Sequence, residues 1–263
     1  HTGTKNDLPL FRDIAAKKGA PTEERMIAHS AIHAWADDAE KEKSYLAALE
    51  GDDAAVRAGC MEVYRDTRSP RIMLSLCRAA KTAPGSDERV TAASRLTAYD
   101  DRSVIPYLIP ALAEQYIPSD RSGMDIFIGA ITLGMTSVLD HLSRSRKREA
   151  FAAAQDGIAA HLRSLTGADC GVSYMRWKEW AVLNGYTIQG ENIIQYLFSG
   201  YARRRTAARQ NAARLLGYQD LAAFLAANAD LSGEREQSLA LAELLLKKGV
   251  LADQEEYGEA ERE

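Results

Sequence analysis

An arginine returns at a fixed interval through the first part of this 263-residue sequence. Arg25, Arg57 and Arg89 open the segments RMIAHSAI, RAGCMEVY and RVTAASRL, each 32 residues after the last. Three residues on stands a small residue (Ala28, Cys60, Ala92), and seven on a large one (Ile32, Tyr64, Leu96). Spacings of three and seven fall on one face of a helix. The second half of each unit keeps the same register: Tyr45, Cys77 and Ile109 align, as do Ala47, Ala79 and Ala111, then Ala48, Ala80 and Leu112. Arg121, Met124 and Ile128 carry the register into a fourth unit. A repeat of this length marks a stacked array, because one helix pair cannot bury its apolar faces alone.

Each unit reads as helix, turn, helix. In the third, Pro84 to Asp87 supplies a break and an N-cap, and Glu88 to Ala98 a first helix. Asp100, Asp101 and Ser103 turn the chain, and a second helix runs on to Tyr116 with Pro106 in its first turn. In the second unit, Thr67, Ser69 and Pro70 make the turn, and the second helix runs to about Lys81. The small residues at Ala28, Cys60 and Ala92 would let neighbouring helices approach closely. The opening arginine is expected to bond to carbonyls or acids of an adjacent turn.

Composition agrees with a folded, helical chain. Hydrophobic residues make up 46% and charged residues 27%, outside the disordered range. The formal net charge of -4 disfavours a nucleic-acid binder as a whole, though a local basic face stays open. Cys60, Cys77 and Cys170 match no disulfide framework and no CxxC pattern, so they read as small hydrophobes. The longest apolar candidate, Met124 to Met135, falls short of a membrane span and contains Asp125. The expected location is cytoplasmic; the start at His1 leaves an exported form with its signal removed as the alternative.

The stretch ERVTAASRLTAYDDRSVIPYLIPAL (88–112) resembles the short bacterial HEAT repeat, of the kind also seen in the phycobilisome-lyase group. That form has an Arg-bearing first helix with paired Ala, an Asp-bearing turn, and a Val-Pro-x-Leu second helix. Residues 22–51 and 52–82 match more loosely, and 120–165 more loosely still. The segment LTGADCGVSYMRWKEW (165–180), with Trp177 and Trp180 three apart, resembles the closing element of such arrays. The resemblance implies an all-α fold, an α-α superhelix of helical hairpins with a C-terminal helical extension. Residues 1–21 would be a lead-in, 22–186 the solenoid, and 187–263 the extension. Within the extension, helix is expected over Glu191 to Ala227, broken at Leu216 to Asp220, and again over Gly233 to Lys248, before an acidic tail. The Trp-Leu-Gly-Tyr pattern of tetratricopeptide repeats and the Thr-Pro-Leu-His of ankyrins are absent.

Chemistry-bearing clusters are few. His29 and His33, four apart, could share a helical face as metal ligands do, but Ser30 stands where HExxH needs its Glu, so no metal or cofactor is expected. No nucleophile elbow or phosphate-cradling loop occurs, and Gly123, Gly129 and Gly134 sit in a helical pattern; no catalytic residue is expected. Arg203, Arg204, Arg205, Arg209 and Arg214 form a basic patch with no acid between Glu191 and Asp220, and Arg144, Arg146, Lys147 and Arg148 a second run. Each reads either as a site for phosphate or an acidic partner, or as a solvated face paired with neighbouring acids. Trp177 and Trp180 read as core more readily than as a ligand anchor. In HEAT-like arrays the second helices line the concave surface, which nominates Arg71, Arg78, Tyr107 and Glu114 for partner contact. The expectation is a non-catalytic scaffold that binds a protein partner through its second helices. The alternatives on the same fold are a DNA-binding enzyme of the glycosylase type, using a local basic groove, or a bilin lyase-like protein.

Overall fold

A computed structural model describes residues 5–116 and 135–250, with side chains from Asn6 and, in the second stretch, from Ser145. The fourth register position at Arg121, Met124 and Ile128, the glycines Gly123 to Gly134 and the acidic tail lie outside the described residues. Among the described residues there are thirteen α-helices and no β-strand. The chain is all-α. No helix among the described residues is long and apolar enough to cross a membrane. The chain divides into two compact units, 1–172 and 173–263.

In the first unit, a 3-10 turn (Lys5–Asp7) leads into α1 (Leu8–Ala16) and α2 (Thr22–Trp35). There follow α3 (Asp38–Leu49), α4 (Ala54–Val63), α5 (Pro70–Thr82) and α6 (Ser86–Leu96). A second 3-10 turn (Arg102–Val104) precedes α7 (Ile105–Ala111), and α8 (Met135–Thr166) completes the unit. The helices form two rows. The first helices α2, α4 and α6 pack in succession, and α8 follows α6; the second helices α3, α5 and α7 pack in succession beside them, with α8 against α7 as well.

The repeat register is the core of this unit. Ala28, Cys60 and Ala92 are fully buried where successive first helices meet, and Ile32, Tyr64 and Leu96 fill the space beside them. Tyr45, Cys77 and Ile109 do the same for the second row. Small residues at the crossing let side chains of the next turn interlock, which is how packed helices reach interior density. Burial pushes the Cys60 thiol up to about 12, so it stays a neutral hydrophobe.

Helix ends follow local chemistry. Asp37 accepts from the Glu40 N–H, Asp53 from Ala55 and Val56, and Ser69 from Ile72, each satisfying free donors of a first turn. Two expected boundaries shift. The α6 N-cap is Gly85, with no side-chain cap, so the helix starts at Ser86. The second helix of the third unit ends at Ala111, well before Tyr116, where the N–H groups of Leu112 and Ala113 turn to the i−3 carbonyls of Ile109 and Pro110.

The second unit holds α9 (Tyr174–Leu183), α10 (Ile193–Leu197), α11 (Ala202–Leu215), α12 (Leu221–Ala227) and α13 (Glu234–Lys247). The predicted break at 216–220 separates α11 from α12, and a further one at 198–201 separates α10 from α11. The division between the units falls at Val172/Ser173. The physical reason is that α9, carrying buried Trp177, packs on α10 and α11. Trp180 is half-buried, edge-on to Trp177 at 5.8 Å.

Candidate functional site

The opening arginines make a ladder along unit 1. Arg57 donates to both carboxylate oxygens of Glu88, at 2.5 and 3.1 Å, and to the Gly51 carbonyl at 2.6 Å. Arg89 repeats this on Glu114, at 2.6 and 2.8 Å, and on the carbonyl of Ala83 at 2.6 Å. Arg25 donates to the carbonyl of Ala15 at 3.2 Å and to Asp53 at 3.4 Å. Each arginine thus ties a backbone carbonyl that precedes its own helix to an acid further along the chain. Bidentate pairs of this kind are the strong form of the interaction. Glu114, nominated for partner contact, accepts both guanidinium bonds of Arg89.

The same device recurs in unit 2. Arg205 donates to the Ser199 carbonyl at 2.8 Å, six residues back, as Arg57 and Arg89 do, and pairs with Glu234 at 3.9 Å. Arg209 is buried and donates to Glu234 at 2.8 Å and Gln237 at 3.1 Å. Arg204 lies 4.6 Å from the Tyr196 ring and 3.8 Å from Glu179. On α11, Arg203 and Arg214 are exposed, and Arg204, Arg205 and Arg209 hold neighbouring elements. Helical periodicity sends those residues to different faces. Of the second run, Arg146, Lys147 and Arg148 are exposed on α8, and the side chain of Arg144 lies outside the described residues.

The second-helix row presents a different balance. The 32-residue register puts Ala39, Arg71 and Ser103 in one column, Lys43, Ser75 and Tyr107 in the next, and Leu46, Arg78 and Pro110 in a third. Arg71, Arg78 and Lys43 are exposed, and Tyr107 is half-buried. The acids nearby are engaged: Glu40 with Arg12, Glu42 with Ser69 at 2.8 Å, and Glu114 with Arg89. Lys43, Arg71 and Arg78 have no ion-pair partner among the described residues, and Glu50 is the exposed acid at the end of α3. The face carries an excess of positive charge in a chain whose net charge is -4.

Two depressions open along this row. One of about 510 Å3 lies between the end of α3 and α5, and is lined by Ser75, Arg78, Arg57, Glu88 and Pro84. The other, of about 760 Å3, lies between α1 and α3 over α2; the two share Gly51 and Asp52. His29 lines the larger one and is 3% exposed. Its Nδ1 lies 3.1 Å from Ser44 Oγ and 3.2 Å from Tyr64 Oη, and the Tyr64 hydroxyl reaches the His29 carbonyl at 3.1 Å. Its Nε2 has no hydrogen-bond partner. Burial, helped by the nearby Arg25, lowers the His29 pKa to about 4, so the ring is neutral at pH 7. His33 meets the Tyr64 ring edge-on at 5.3 Å. The two histidines thus frame Tyr64, and no group of three metal-ligating side chains occurs among the described residues.

Sequence reasoning missed Lys43, Ser44 and the α1–α3 cavity. The register holds the signal for Lys43, which falls in the column of Tyr107. Nothing in the register reaches α1. No family model matches this chain, and neither a curated protein nor a solved structure does.

Proposed function

We propose that this chain is a non-catalytic binding protein of the HEAT-like repeat kind, whose second-helix row holds an acidic segment of a partner protein. The observation that carries this reading is the unpaired charge of Lys43, Arg71 and Arg78 on a row where Glu40, Glu42 and Glu114 are engaged within the chain. Charge complementarity of this sort sets partner choice and association rate more than raw affinity. The depression beside Arg78 gives the segment a place for a side chain. The two rows of successive helices support the repeat reading.

The test is selection from a library of displayed peptides with random sequence. Asp- and Glu-rich peptides should be enriched, and the double variant Arg71→Glu/Arg78→Glu should weaken them about tenfold or more. No enrichment of acidic sequences, or equal binding by the double variant, would defeat the proposal.

A further inference from the structure

Phe198, Ser199, Gly200 and Tyr201 join α10 to α11 in unit 2. The turn is held from inside, and one residue does most of the holding. Arg205 donates from its guanidinium to the Ser199 carbonyl at 2.8 Å and the Gly200 carbonyl at 3.1 Å, and from its backbone N–H to the Tyr201 carbonyl at 3.0 Å. The Ser199 N–H donates to the Tyr196 carbonyl at 3.2 Å, and the Tyr201 N–H to Ser199 Oγ at 3.3 Å. Three successive carbonyls and two N–H groups are thus satisfied within the unit. Backbone paired in this way can leave bulk water at little cost.

None of these bonds uses a ring. Phe198 is nonetheless 46% exposed and Tyr201 72%. Large apolar side chains scattered singly over a surface need no partner, but two on one fixed turn make a patch that does. Met175 on α9 is exposed as well.

Charge sets the sign of that partner. Arg203 and Arg204 follow the turn directly. Arg204 lies over the rings of Tyr196 and Tyr201, at 4.6 and 5.6 Å, and 3.8 Å from Glu179 on α9. Arg176 stands one turn before Glu179 and is exposed. Glu191 is engaged by Lys178 at 2.6 Å. Arg176 and Arg203 have no ion-pair partner among the described residues. A partner for this surface is therefore apolar and anionic at once. The bases of a nucleic-acid strand would stack on ring faces, and Arg204 already stands over Tyr196 and Tyr201. A purely acidic peptide would meet the cations and leave the rings in water. A bilayer with anionic headgroups takes both, with rings at the boundary between headgroups and acyl chains and arginines on the phosphates.

We propose that the 198–201 turn of unit 2 docks on the surface of a bilayer with anionic headgroups, with Phe198 and Tyr201 entering the interface and Arg176 and Arg203 facing the headgroup phosphates. The contact is peripheral. It goes beyond the acidic-segment row of unit 1 and shares no residue with it.

The probe is a vesicle of equal parts phosphatidylserine and phosphatidylcholine, with pure phosphatidylcholine as its neutral counterpart. The full chain should sediment with the anionic vesicles and bind the neutral ones about tenfold more weakly or less. Added salt should release it. The variants Phe198→Ser/Tyr201→Ser and Arg176→Glu/Arg203→Glu should each weaken binding about tenfold or more, with an unchanged melting temperature. Phe198→Trp/Tyr201→Trp, which keeps rings suited to an interface, should bind at least as well as the parent chain. Arg71→Glu/Arg78→Glu should bind the vesicles as the parent chain does. No sedimentation, equal binding of neutral vesicles, full binding by either of the first two variants, or loss in Arg71→Glu/Arg78→Glu would each overturn the proposal. So would release by the soluble headgroup glycerophosphoserine, the mark of a free-anion site. A gel shift of oligouridylate that Phe198→Ser/Tyr201→Ser removes would do the same, by assigning the surface to nucleic acid. Acidic-peptide selection that persists through any such failure leaves the proposed function standing, because the two surfaces rest on different residues.

Discussion

At position 29 the sequence offers a histidine four residues from another, a spacing that suggests a metal face. Packing gives it other work. The small residue at Ala28 brings α4 close, and Tyr64 then reaches across to the His29 carbonyl at 3.1 Å. A neutral buried histidine makes stability depend on pH in a defined direction. Its pKa lies at about 4 in the folded chain, below the ordinary 6.5, so the unfolded chain takes up the extra proton first. This contribution is complete above pH 6.5, falls as pH drops towards 4, and is constant below that. Between pH 7 and pH 5 the loss should be about 2 kcal/mol. Urea unfolding across that range measures it, and His29→Gln, which does not titrate, should flatten the slope. Parallel profiles for the two proteins would remove His29 as the cause.

Among the elements, the arginine ladder shows how far a register can be read. Its period identifies which arginines matter, and the i−6 carbonyl contact follows from a helix start beside a short loop. The acids at the other end do not follow from spacing. Asp53, Glu88 and Glu114 lie 28, 31 and 25 residues beyond their partners, an uneven set that no fixed period finds. The pair Arg57–Glu88 is the most enclosed, with side-chain exposures of 13% and 7%. Arg57→Ala would leave Glu88 charged and unpartnered between two units, a change that costs about 3 kcal/mol. The exposed acid of the Arg95–Glu62 pair gives the contrast, and Glu62→Ala should cost about 0.5 kcal/mol or less. Chemical denaturation of both variants decides it: equal losses would mean that the ladder is ordinary surface charge. Helix limits were legible where a cap or a proline stands, as at Ser69 and Pro70. They were not legible after Ala111, where the helix closes on i−3 bonds although the apolar pattern runs on.

On the scale of the whole chain, the distribution of charge matters more than its sum. The chain is acidic overall, and its exposed positive charges stand in short separate groups among the described residues, such as Lys43, Arg71 and Arg78 on the second-helix row of unit 1 and Arg146, Lys147 and Arg148 on α8. The arginines of α11 give no comparable field, since Arg205 and Arg209 are tied to Glu234. A duplex DNA should therefore show no retention in a gel shift even at about 50 mM salt, where phosphate contacts are strongest. Clear, salt-dependent retention would bring the nucleic-acid reading back.

The sequence by itself determined the repeat helices of unit 1 and the columns of their core. Those are set by contacts between neighbouring turns and by a repeat that stacks like on like, and both are written in spacing. Tertiary structure alone decided which charges are spent and which remain, and that a gap separates α1 from α3 with His29 at its wall. Those depend on distances through space between residues about 10 to 35 positions apart, in segments that the register does not link.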